Sequence, residues 1–234
     1  TLANTSLEEG AGFGVAATGN TANITTQNLT IQTHDDYPLY LTYDALNRLD
    51  GVASSYTGNA KDTAMIALSS SAFSIDEATT ISKLNVPYLI ESGSHQAKAI
   101  LMVEAGVELN AQADVELIFT APGTVGNLII NGTATEPVIW KGAQHTSGYW
   151  KGIYLEIDPS EESSITYLQM SDAGGSSVNG APLAALIYLQ SGKLTVTNSS
   201  FSDSRGCGLA ANAGATLVES NNTFSNNAGG DVCD

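Results

Sequence analysis

The chain of 234 residues is long enough for one or two domains, and a hydrophobic content of 42% can supply a core. Only 14% of residues are charged, and 24 acidic against 8 basic side chains leave a formal net charge of -16. Such a surface repels phosphate backbones and anionic lipid, so nucleic acid is not expected as a partner, and no run reaches the ~20 apolar residues that would insert into a membrane.

The chain opens at Thr1 without a basic, then apolar leader, and reads as a mature protein or an excised module. Residues 1–35 are small and polar. Laid without gaps on the C-terminus, Gly12, Gly14, Ala16 and Asn28 fall on Gly206, Gly208, Ala210 and Asn222, and Val15 falls on Leu209. That overlay suggests that both ends belong to one ladder. Residues 37–43 alternate as a strand, with Pro38 at its start, where a missing N–H is tolerated. Residues 44–51 suit one helical turn ending at Gly51, and residues 64–68 a strand. Residues 69–83 are the least regular and read as a lateral excursion, before a strand resumes at Pro87.

From Ile100 to Ile157 short apolar segments recur, each about four to eight residues long, a strand's length. Val115, Leu117 and Phe119 alternate, as do Leu128 and Ile130, so one set of side chains faces a core. Ala105-Gly106, Pro122-Gly123-Thr124 and Asn131-Gly132-Thr133 turn the chain between them. No amphipathic helix fits in the gaps, which leaves a sandwich, a barrel or a coiled solenoid.

Three motifs follow one another here: Glu104-Ala105-Gly106-Val107, then Gly132-Thr133-Ala134-Thr135-Glu136-Pro137-Val138, then Trp150-Lys151-Gly152-Ile153. In that order they resemble the right-handed parallel β-helix modules of large bacterial cell-surface and secreted proteins. The resemblance implies an all-β, single-stranded right-handed parallel β-helix spanning residues 1–234 as one domain. Coils would be less regular over 1–90 and regular over 91–234. It implies little about function.

The repeat is visible near the C-terminus. KLTVTNSSFSDS superimposes on TLVESNNTFSNN, with Leu194 on Leu217, Asn198 on Asn221 and Phe201 on Phe224; SSITYLQMSDAG fits the same template with Met170 opposite Phe201. Phe201 above Phe224 should form an internal column, and Asn198 above Asn221 an amide ladder serving buried corner backbone. About nine or ten coils stacked ~4.8 Å apart would make a rod roughly 45 Å long. The same register brings Cys207 and Cys233 close, so a disulfide and an oxidising, extracellular setting are expected, two free buried thiols being the alternative.

Asp172 and Asp203 share a template position, followed by Asn226. Stacked, the two carboxylates could bind Ca²⁺ as a cofactor, raise one another's pKa, or be neutralised by Arg205; alternatively each is a solvated turn residue. Asp35-Asp36 beside His34 is a second acidic corner, and His34, His95 and His145 lack zinc-ligand spacing. Tyr149 and Trp150, with Trp140, could stack on sugar rings or pack against one another. Sequons at Asn4, Asn23, Asn28, Asn131, Asn198 and Asn221 fit glycosylation or a Ser/Thr-rich ladder alike.

These features imply an extracellular structural and adhesive module, a rigid spacer and binding surface flanked by further domains in a larger secreted or envelope protein. The expected partner is a glycan or another cell-surface component. A polysaccharide lyase or glycoside hydrolase on the same fold is the enzymatic alternative, poorly served by so few basic residues, and a calcium-stabilised spacer without a ligand is the third.

Overall fold

A computed structural model describes residues 1–18, 24–69, 74–120, 126–158 and 161–234. The expected Pro122-Gly123-Thr124 corner, the sequon at Asn23 and part of the 69–83 stretch lie outside them. Among the described residues the secondary structure is short strands plus one 3₁₀ turn, Tyr43–Arg48, and every strand pairing is parallel. The chain is therefore all-β with parallel sheets, an arrangement compatible with a parallel β-helix.

Three larger sheets share the strands. The first has nine, from Val15–Ala17 through Leu39–Leu41, Tyr88–Ile90 and Val138–Gly142 to Thr223–Ser225. The second has six, from Ser94–Ala97 to Gly230–Cys233, and the third six, from Thr79–Ile81 to Thr216–Ser220. From Tyr88 onward the chain visits first, second and third sheet in turn, so each strand pairs with one a full cycle away. Leu2–Glu8 and Thr26–Gln32 form a separate pair.

Because register is kept from cycle to cycle, apart from a shift between Leu155 and Glu156 in the second sheet, inward positions stack into columns. In the first sheet Tyr88, Leu109, Trp140, Met170, Phe201 and Phe224 succeed one another in register. In the second, Leu117, Ile153, Ile187 and Leu209 do the same. In the third the column is Ile81, Val103, Ile130, Ile165 and Val196. All but Phe224 are buried, and each fully buried side chain of this size contributes about 1.5–3 kcal/mol. Phe201 and Phe224 stack with ring centroids 5.5 Å apart, as the repeat alignment predicts.

Three expectations need correction. The 69–83 stretch is not wholly an excursion: Thr79–Ile81 pairs in register with Leu101–Val103, because its alternating Thr79 and Ile81 supply two inward side chains. The gapless overlay of the termini fails, since Val15 lies in the first sheet and Leu209 in the second; both ends do contribute strands to the first sheet, but in another register. The amide ladder is displaced by one residue. Asn198 and Asn221 take left-handed backbone, φ 52° and 55°, which swings their side chains into solvent. The following residues turn inward and serve the corner: Leu168 N–H donates to Ser199 Oγ at 3.0 Å, and Ser199 N–H to Asn222 Oδ1 at 2.9 Å.

Candidate functional site

The corner between the first and second sheets carries the predicted aspartates. Ser171 pairs with Ser202, and the next residues, Asp172 (φ 69°) and Asp203 (φ 56°), turn the chain in left-handed conformation, as does Asn226 (φ 56°) one cycle on. Asp and Asn tolerate this region better than other side chains. The two carboxylates then diverge in what they bind. Asp203 Oδ1 accepts from Asn226 Nδ2 at 3.1 Å at the exposed corner. Asp172 is only 3% exposed, because Gly142 leaves space beneath it; its Oδ2 accepts from Gly142 N–H at 3.3 Å and Ser171 Oγ at 2.8 Å. His145 Nδ1 lies 3.4 Å from the same oxygen. Among the described residues no group of three or more His, Cys, Asp or Glu could hold a metal ion, whereas Ca²⁺ takes 6–8 oxygens. The corner thus fixes backbone with one carboxylate and an amide with the other.

Trp150 and Tyr149 do not form a shared platform. Trp150 is fully buried, lies parallel to Trp140 at 6.0 Å, and donates from Nε1 to Ser171 O at 2.9 Å. A ring spent on the core offers no face to a sugar, and only half-buried Tyr149 reaches the surface. At the other acidic corner Asp36 pairs with Lys61 at 2.8 Å, and His34 is buried with neither ring nitrogen hydrogen-bonded.

Cys207 and Cys233 form a disulfide. Cys207 pairs with Gly230 and Cys233 with Ala210, so the bond ties the last strand to its neighbour on the outer face of the second sheet. That face is apolar, with Tyr154 stacked on Tyr188 at 5.9 Å and Val178 and Ala181 laid over them.

All six lysines are held by carboxylates: Lys61 by Asp36, Lys83 by Glu136, Lys98 by Asp76, Lys141 by Glu108, Lys151 by Glu116 and Lys193 by Glu162, at 2.7–3.3 Å. Most of the protein's positive charge is therefore neutralised locally, and an acidic polymer would have to displace these partners to reach it.

Two surfaces went unrecognised in the sequence. Phe13, 39% exposed, lies flat on Tyr40 at 4.6 Å and near Tyr37 at 6.3 Å, with Lys61 Nζ 4.3 Å over the Tyr37 ring. No sequence signal joins Phe13 to Tyr40, because the chain between them makes an independent strand. The other surface is an open groove of about 280 Å³ lined by Thr133, Pro137, Tyr167, Gln169, Asn198 and Asn221 among others. Here a signal exists: the template that sets Met170 opposite Phe201 also sets Tyr167 where its neighbours carry Asn198 and Asn221.

Together these features define the class: an all-β chain of parallel sheets with its lysines paired to carboxylates and a strong excess of acidic side chains. Comparison with models of known protein families, with curated proteins and with solved structures finds no match to this chain.

Proposed function

We propose that this chain is a right-handed parallel β-helix of about nine or ten coils, serving as an extracellular structural and adhesive module. It is a stiff spacer and glycan-binding surface within a larger secreted or envelope protein of the bacterial type. The observation that carries the reading is the unbroken parallel register of the first sheet from Val15 to Ser225, which suits a rod that holds two ends apart. The disulfide suits an oxidising exterior, and among the described residues no helix is long and apolar enough to cross a membrane. A net charge of -16 disfavours a polyanion, and paired lysines leave a glycan without acidic groups as the better match.

The test is a glycan array run with and without calcium, alongside thermal melts under both conditions. Binding without breakdown of the bound sugar, and a melt indifferent to calcium, are expected. Release of shortened sugar would replace the module with a lyase or hydrolase, and a large calcium-dependent rise in melting temperature without any binding would replace it with the calcium-stabilised spacer.

A further inference from the structure

Building on that adhesive reading, we infer that the groove at Tyr167 is a binding site for a neutral, extended oligosaccharide. Its lining residues Tyr167, Asn198 and Asn221 belong to a row of equivalent corner positions. Gly132 N–H donates to Thr166 O, Tyr167 N–H to Thr197 O and Asn198 N–H to Ser220 O, so Gly132, Tyr167, Asn198 and Asn221 follow one another from strand to strand. Parallel strands repeat every ~4.8 Å, comparable with one pyranose unit of an extended chain. Successive sugars would therefore meet successive corner side chains.

The lining is chemically matched to such a ligand. Among the described residues no Asp, Glu, Lys or Arg lines the groove, and its lining is suited to an uncharged ligand. Asn198, Asn221 and Gln169 present amides, each with donors and an acceptor, and Thr133 and Thr223 add hydroxyls. Among the described residues the side-chain polar atoms of Tyr167, Gln169, Asn198 and Asn221 have no protein hydrogen-bond partner. Asn222, one position along, spends its amide on Ser199 N–H and Val196 O. The groove thus keeps unspent hydrogen-bonding capacity beside amides that the fold consumes.

Tyr167 is the anomaly. Its φ of 48° puts a bulky aromatic in the left-handed region, where the neighbouring cycles use Asn at φ 52° and 55°. Such residues are rare, and strained positions gather at ligand sites. An Asn there would serve the backbone equally well; what Tyr adds is an apolar ring face, the surface on which a pyranose stacks, with a hydroxyl at its edge.

The same comparison supplies the test. Tyr167→Asn installs the residue that the next two cycles carry in the same conformation, so the variant should fold with an unchanged or higher melting temperature. Cellohexaose, mannohexaose and galactan oligomers would be titrated calorimetrically into the intact chain, with polygalacturonate as the acidic control. At least one neutral series should bind, and Tyr167→Asn and Gln169→Ala should each weaken it by roughly tenfold or more. Equal binding by wild type and both variants would overturn the site while leaving the adhesive reading standing, and loss through Phe13→Ala instead would move the site to the Phe13–Tyr40 stack. Binding of polygalacturonate alone would overturn the neutral class. Binding of no carbohydrate would overturn both the groove and the adhesive reading.

Discussion

The first 90 residues and the remaining 144 solve the same problem by different means. Past Tyr88 each cycle supplies one strand to each of three sheets, and ladder hydrogen bonds satisfy most backbone groups. Before it only the first sheet is continuous; the second begins at Ser94 and the third at Thr79. Side chains take over there. Asp50 accepts from the backbone of Asn28, Val52 and Ala53 and from Ser54 Oγ, Tyr56 OH donates to Asp50 O, and Asn59 donates to Ile31 O and Tyr56 O. Where repetition lapses, named polar residues must replace the register, so a single substitution should act locally in one region and along a column in the other.

The largest effect is expected in the stacked region. Phe201→Ala removes a fully buried ring between Met170 and Phe224 and should cost about 3–5 kcal/mol, read from denaturant unfolding. A cost below about 1 kcal/mol would show that columns are not the unit of stability.

Asp50→Ala should cost about 1 kcal/mol, solvent screening included, and its amide-exchange signature should stay near residues 26–56. The backbone N–H groups of Ala53 and Asn28 hold the Asp50 carboxyl down at about 2, against an ordinary 3.8. A depressed folded pKa means that this contribution is complete above 3.8 and lost as pH falls through about 2. In the variant, acid unfolding of this region should lose that step.

The smallest effect belongs to the boundary. His95 is fully buried, donates Nε2–H to Glu91 O at 2.7 Å, meets Tyr43 edge-on, and occupies the inward position opposite Leu117. Burial lowers its pKa, against the opposing pull of the hydrogen bond to Glu91 O and of the Glu91 charge. The unfolded chain then binds the proton more readily than the folded one, so stability falls as pH drops below the ordinary value of 6.5. His95→Leu should flatten stability between pH 5 and 7; an unchanged slope would place the titrating group elsewhere.

Much of the regular region was legible as sequence, and the site much less so. Leu194 on Leu217 and Phe201 on Phe224 could be read directly because stacking forces like onto like. Trp150 resisted, since a ring beside Gly152 reads equally well as a surface platform or as core, and only its parallel contact with Trp140 separates the two. In residues 1–90 the strands at 39–41 and 64–66 and the helical turn at 43–48 were legible, but the side-chain contacts were not, because Phe13 meets Tyr40, and Asp50 meets Asn28, without any repeat to announce it.

The order of amino acids was enough to show that short alternating strands recur with a fixed template, that equivalent residues stack, and that the two cysteines fall close together. Which corner side chains point out and which turn in became visible in the folded chain alone. At a left-handed corner one residue's rotation exchanges those roles, exposing Asn198 while burying Ser199, and composition is blind to that rotation.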